Sequence, residues 1–279
     1  MRVRSAVTTL AVLAGVGAVG VAVVRGTGPL PDPEGCTALV EGHHVALDTE
    51  QAENAALIAA IGVHRDLPAR AVSIALATAY QESKMINVEH GDRDSLGLFQ
   101  QRPSQGWGTE AQILDPVHAT NAFYDALVKI DGYESMRITE AAQKVQRSAY
   151  PEAYEDHAED GRALASALTG WSAHTFTCVV RPDETYDDQR LSVVQDELRN
   201  VFGATATKVS TRGVLVEEHA DGAAARRQGW AMASYLVAQA KRLGISQVSY
   251  DGRVWHDGDA SEDGWTAHGT ADGVEVTVR

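Results

Sequence analysis

One carboxylate, Glu82, ends the apolar run LPARAVSIALATAY, and the chain then enters ESKMINVEHGDRDSLGLFQQRPSQGWG, rich in Gly, Asp, Ser and Gln. An acid carried out of a core helix into a polar loop is placed for proton transfer. Burial disfavours the ionised carboxyl, and the negative end of a helix dipole acts in the same sense. Both favour a proton held at neutral pH, which a general acid serving a glycosidic oxygen requires. Gly91 and Gly97 permit close backbone approach, and Ser95, Gln100 and Gln101 offer uncharged hydrogen-bonding groups. Trp107 presents an apolar face to a sugar ring, while Asp92 and Asp94 are further acids on the loop. By itself, a Glu at a helix end is most often a solvated surface residue.

A family resemblance alters that balance. Glu82-Ser83 followed by SLGLFQ at Ser95 to Gln100 resembles the signature of soluble lytic transglycosylases and goose-type lysozymes, a Glu-Ser at a helix end and then Gly-Leu-(Met or Phe)-Gln. The wider run GDRDSLGLFQQRPSQGWGT, with ILDP, AFYDALVKI and AAQKVQRSAYPEAY, is similar to a transglycosylase-like group of actinobacterial secreted proteins. The likeness covers residues 48 to about 160 and implies an α-helical lysozyme-like fold. It makes Glu82 the acid that protonates the leaving oxygen and then the base for the muramic 6-hydroxyl, leaving a 1,6-anhydro product. Ser95 then contacts substrate or orients Glu82, and Gln100 lines the sugar cleft. Asp92 falls where goose-type enzymes carry an acid, so it steers a water or stabilises positive charge at the sugar. The family's third motif, commonly Ala-Tyr-Asn-Ala-Gly, is absent. VQRSAYP stands in its place, which makes Gln146 and Tyr150 the cleft residues expected there.

The C-terminal region resembles, more weakly, a wall-associated domain of the LAS zinc-peptidase type. His219 and Gly222 align with that pattern, but Arg226 stands at the Asp position and Gly273 and Glu275 at the two terminal His positions. A cation in place of a carboxylate repels zinc, so a degenerate module without a metal or other cofactor is expected.

These residues need elements to position them. Asp48 and Gln51 form a capping box for a helix through about Val63. Asp66 before Leu67-Pro68 starts a second helix, and Asp115-Pro116 a third, with Val117, Phe123, Leu127 and Ile130 at helical spacing. Thr139 caps a fourth, ending before Pro151, and a fifth runs from about Asp160 to Leu168. Beyond Cys178 the pattern changes. A helix is expected from Leu191 to Phe202, a strand at 213–218, and a long helix from Ala223 to Leu243 stopped by Gly244. A hairpin about Asp251-Gly252 and a terminal strand VEVTV follow. The fold class is therefore an α-helical lysozyme-like domain, residues 48–178, then a linker, 179–190, and a small α+β domain, 191–279, expected to be non-catalytic.

The first 47 residues read differently. MRVR (1–4) is cytoplasmic in this reading, and residues 5–24 are uncharged and about one bilayer crossing long, closed by Arg25. This is an uncleaved anchor or a signal segment cleaved after Ala18 or Ala22, and residues 26–47 are a Gly/Pro-rich linker. Both alternatives place the remainder outside the cytoplasm, as a single-pass membrane protein or a secreted one. That compartment permits a disulfide between Cys36 and Cys178, the only two cysteines, although two unrelated buried thiols are the other reading.

Composition narrows the partners. A hydrophobic content of 44% suffices for a real core. A formal net charge of −14 leaves nothing to neutralise phosphates along a strand, which argues against nucleic acid. The expected partners are peptidoglycan glycan strands and, through the N-terminal helix, the membrane. The expected function is cleavage of the MurNAc–GlcNAc bond by one Glu acting as general acid and base. The alternative is a catalytically inactive glycan-binding or envelope scaffold protein.

Overall fold

The computed structural model describes residues 32–148, 152–181, 190–203, 207–209, 213–217, 222–268 and 273–279. The apolar segment 5–24 lies outside them. Among the described residues no helix is long and apolar enough to cross a membrane.

Two strands come first, β1 (Gly35–Val40) and β2 (His43–Leu47), in the stretch read from sequence as the end of a linker. They pair antiparallel around Glu41-Gly42, whose φ values of 51° and 86° are those of a tight two-residue hairpin turn. Cys36, Ala38, Val45 and Leu47 point into the core while their neighbours face outward, so the pattern is an ordinary half-buried hairpin.

Helix α1 (Thr49–His64) carries the expected capping box: the Gln51 amide donates to Asp48 Oδ1 at 2.8 Å and the Asp48 amide to Gln51 Oε1 at 3.0 Å. Helix α2 (Ala69–Ser83) begins later than expected, with Pro68 at its N-cap and no side-chain cap. Proline holds the residue before it in extended backbone, so the helix cannot include Leu67, and Asp66 adopts φ 53° instead of capping. After a single turn, α3 (Glu110–Ile113), comes α4 (Pro116–Leu127), with Asp115 accepting from the Val117 amide at 3.0 Å. Ile130 lies past its end and packs half-buried in the following turns. Helix α5 (Ile138–Gln146) is preceded by Arg137, paired with Glu140, so Thr139 is inside the helix and buried, not its cap. Helix α6 (Ala158–Leu168) lies against α2, and the approach depends on Gly161: a Cβ there would stand 2.8 Å from the Ser73 carbonyl oxygen.

Strand β3 (Phe176–Val179) closes the first sheet, ordered β2-β1-β3, and aligns Cys36 opposite Cys178. The two sulfurs are bonded, joining positions 142 residues apart. The C-terminal portion contains α7 (Arg190–Phe202), β4 (Thr207–Val209), β5 (Gly213–Glu217), α8 (Ala223–Ala238) and α9 (Ala240–Leu243). It ends with β6 (Ile245–Tyr250), β7 (Arg253–His256), β8 (Thr266–Ala267) and β9 (Gly273–Val278). The long helix expected over 223–243 is thus two pieces meeting at Gln239, and the stop at Gly244 is a left-handed residue, φ 65°. The second sheet is antiparallel throughout, order β4-β5-β9-β6-β7-β8, with Asp251-Gly252 at the β6–β7 turn.

Residues Glu34–Arg279 form one compact unit, and one hydrophobic cluster runs through it from Cys36 to Val276. The portions before and after Val179 meet through specific polar contacts as well. Trp255 donates its indole N–H to the Cys178 carbonyl at 2.9 Å, Trp265 to the Phe176 carbonyl at 2.7 Å, and Gln239 its side-chain amide to the Glu53 carbonyl at 3.0 Å. The architecture is a helical layer with two small antiparallel sheets, about half of it helix.

Candidate functional site

Every residue of α2 from Ala71 to Ala79 is buried, so the helix runs through the core and emerges only at its last turn, where Tyr80, Gln81, Glu82 and Ser83 are half-buried. Lys84 and Met85 then adopt left-handed backbone, φ 58° and 60°, and turn the chain away from the helix axis. The Met85 side chain is buried at that corner, which holds the turn in place.

The loop that follows is tied back to this helix end. Ser83 Oγ donates to the Leu98 carbonyl at 2.8 Å, and Gln146 Nε2, from α5, donates to the Phe99 carbonyl at 2.7 Å. Leu98 and Phe99 are fully buried, and Phe99 stacks on Phe123 of α4 with ring centroids 4.6 Å apart. Leu96 and Gln101 exchange backbone hydrogen bonds of 2.9 and 3.0 Å across the turn, which Gly97 (φ 73°) and Gln100 (φ 48°) make possible. Gly97 is required twice over, since a Cβ there would meet the Ile113 carbonyl oxygen at 2.7 Å.

Glu82 is held by a residue that sequence reasoning did not select. The Tyr154 hydroxyl donates to Glu82 Oε1 at 2.6 Å. Tyr154 is buried, and burial, then the Glu82 charge, raise its phenol far above the usual range, with Ser148 acting in the opposite sense. Tyr154 therefore stays protonated and is the donor to Glu82 Oε1. The stretch AYPEAY contains two tyrosines at positions 150 and 154. The family resemblance points to Tyr150, which lies outside the described residues; the turn before α6 aims Tyr154 at Glu82.

His157 completes the surroundings of the helix end. Its ring lies 4.7 Å from that of Tyr80, and Nε2 is 2.9 Å from Gln81 Oε1. Burial, then the Lys84 charge, push its pKa below the ordinary imidazole value, so Nε2–H donates to Gln81 from a neutral ring. The Lys84 ammonium stands 4.7 Å from the centroid of Tyr80.

The remaining expected residues fall into two groups. Gln146 joins the Glu82 neighbourhood through the loop backbone, and Gln100 faces its own turn, its amide 3.3 Å from the Gly97 carbonyl. Gln101 is buried, donating to the Ala119 carbonyl at 3.1 Å, so it braces the loop against α4. Trp107 is half-buried and packs against the core. Ser95 is buried, and its hydroxyl accepts from Arg102 Nε at 2.8 Å. The same guanidinium pairs with Asp92 at 3.1 Å, and the Asp92 side chain is 81% exposed. Asp94 caps the turn Pro103–Gln105 by accepting from the Ser104 amide at 2.9 Å, and the Ser104 hydroxyl, then that amide, hold its carboxyl below the usual range. Arg102 thus organises the outer half of the loop.

In the C-terminal portion, Gly222 precedes α8, and Arg226 in its first turn pairs with Asp251 at 2.7 Å. Asp251 also accepts from the Trp230 indole at 2.9 Å. Gly273 and Glu275 are on β9, Glu275 opposite Leu215 and Ser249, and His219 lies outside the described residues. Among the described residues no three His, Cys, Asp or Glu side chains converge as metal ligands. No protein-family model matches the chain, and no curated protein matches it.

Proposed function

We propose that the chain is a peptidoglycan-cleaving enzyme of the lytic transglycosylase or lysozyme-like class, with Glu82 as its single acid and base. The observation that carries this reading is the placement of Glu82: the last turn of a buried helix, half-exposed, and aligned by a buried, protonated tyrosine at 2.6 Å. A catalytic carboxyl needs a fixed rotamer and access from solvent; the Tyr154 bond supports the first and the partial exposure of Glu82 the second. The likeness of Glu82-Ser83 and SLGLFQ to the family signature fits the Ser83–Leu98 bond, which joins those two motifs in space.

In this reading Glu82 donates its proton to the oxygen between MurNAc and GlcNAc as the glycosidic bond breaks. The resulting carboxylate then accepts the proton of the muramic 6-hydroxyl, whose oxygen bonds to the anomeric carbon and closes the 1,6-anhydro ring. Tyr154 keeps its own proton throughout and stabilises the carboxylate formed between the two steps. No second carboxylate is called on, and Asp92, exposed and paired with Arg102, organises the loop.

The experiment is incubation of the protein with peptidoglycan and mass analysis of the released fragments. Products one water lighter than reducing-end muropeptides identify the transglycosylase; reducing ends identify a hydrolase. Retention on the polymer without release is the result expected of a binding or scaffold protein. Release by Glu82→Gln at the wild-type rate refutes the role given to Glu82.

A further inference from the structure

A cavity of about 280 Å³ lies far along the chain from Glu82, where the end of β3, the start of α7, α9 and the first residues of β6 meet the last residue, Arg279. Its lining includes Arg181, Arg190, Lys241, Arg242 and Arg279. Five cations around one small cavity are unexpected in a chain of formal charge −14. Four carboxylates pair with four of them, Glu262 with Arg181 at 2.8 Å, Glu34 with Lys241 at 3.1 Å, Glu197 with Arg242 at 2.5 Å and Asp257 with Arg279 at 2.6 Å, and Arg190 is engaged as well. Of these carboxylates, Asp257 lines the cavity and is 7% exposed.

We propose that this cavity is a binding site for a phosphate group, as a free phosphate ester or as one unit of a phosphodiester. Each guanidinium carries five N–H donors in a fixed fork, so one carboxylate partner does not exhaust it. Each of these cations already has a partner within the chain. A ligand that adds binding energy must engage several forks at once, which a tetrahedral anion with three or four acceptor oxygens does and a further carboxylate does not. The backbone is shaped for one of these cations: Gly244 takes φ 65°, and a Cβ there would stand 1.6 Å from Arg190 Nη1, so the guanidinium lies over a glycine. At roughly 30 Å³ per water, the cavity holds about nine waters, room for phosphate and a small alcohol. A second depression, lined by Ser246, Gln247 and His256, shares Asp257 and Arg279 with the first and offers neutral polar groups to that alcohol. A long polyanion such as nucleic acid meets the acidic remainder of the surface and is disfavoured. The proposal is independent of the reading of Glu82.

The test is thermal unfolding and titration calorimetry of the full chain in detergent, with inorganic phosphate replacing chloride at constant ionic strength. A saturable stabilisation by phosphate over chloride is expected. Arg190→Gln should weaken it about tenfold, the loss of one charge-assisted contact, while peptidoglycan release stays at the wild-type rate. Should Arg190→Gln not fold, Arg181→Gln is read in its place. Glycerol phosphate and a glycerophosphodiester oligomer are titrated in parallel: tighter binding of the monoester assigns a free phosphate ester, tighter binding of the oligomer a phosphodiester polymer. A phosphate response equal to that of chloride, or one undiminished in both variants, overturns the proposal.

Discussion

Tyr154→Phe is the sharpest probe of the Glu82 site. The substitution removes one oxygen from a side chain that is 1% exposed and leaves its ring packing intact. What disappears is a 2.6 Å hydrogen bond to the Glu82 side chain. Such a bond contributes about 0.5–1.5 kcal/mol net to a neutral acceptor and about 1.5–3 kcal/mol to a charged one. Glu82 is half-buried, so water can replace the phenol at the acceptor, and the value of about 1.5 kcal/mol where the two ranges meet applies. A loss of about 1.5 kcal/mol lowers the unfolding temperature by about 3–6 °C in a chain of this size. The effect on turnover should be larger than stability suggests. An unanchored glutamate samples several rotamers, and misplacement of a catalytic group by an ångström costs up to about a hundredfold in rate. The expected result is a fall in kcat of about tenfold to a hundredfold with KM nearly unchanged, because the contact orients the acid and does not bind substrate. Muropeptide release measured by chromatography and mass spectrometry, beside thermal unfolding of the same samples, reads both numbers. A variant with lowered stability but full kcat would show that the bond only holds the fold. One unchanged in both would remove Tyr154 from the site.

Three further outcomes follow from the geometry. Replacing both Cys36 and Cys178 by Ser opens a loop whose ends are 142 residues apart, and should cost about 5 kcal/mol in the chain-entropy description; thermal unfolding with and without reductant checks it, and equal curves would refute it. His157 has a folded pKa below its unfolded value of about 6.5, so the folded state binds fewer protons than the unfolded one. Its contribution to stability is present above about pH 6.5 and is lost as pH falls towards the folded pKa, so His157→Gln should flatten that part of the stability–pH curve; a difference curve independent of pH contradicts this. Gly97→Ala should destabilise by about 1–3 kcal/mol through left-handed strain and the Ile113 carbonyl, and should lower activity by displacing Leu98 from Ser83; full stability by chemical denaturation would show that the turn has another solution.

Local sequence carried a good deal of this architecture. The Asp48–Gln51 capping box, the Asp115-Pro116 start and the Asp251-Gly252 hairpin all form where short-range chemistry places them, because each is satisfied within a few residues. The apolar run 67–80 declared a buried helix with an acid at its exit, and α2 is that helix. Departures occur where a neighbouring residue outranks the local signal: Pro68 delays α2, and Arg137–Glu140 displaces Thr139 as the start of α5. Residues 35–47 were missed as strands because Glu41-Gly42 is a weaker turn signal than Asn-Gly or Asp-Gly, and a two-stranded hairpin needs β3, far along the chain, to become stable.

Sequence alone placed Glu82 at the exit of a buried helix, because the hydrophobic pattern around it is local, and the resemblance of Glu82-Ser83 and SLGLFQ to a family signature singled it out as a candidate acid. It also supplied the loop that must face this residue, through Gly97 and the residues on either side. Only the tertiary structure decided what holds that acid. Tyr154 and Glu82 are 72 positions apart, and their contact exists because α6 packs across α2 at Gly161 and brings the turn before it over the helix end. The same holds for the cation-lined cavity, whose members come from β3, α7, α9 and the end of β9. Periodicity and capping report interactions within a turn or two; pairings across tens of residues depend on how helices and sheets bury their apolar faces against one another.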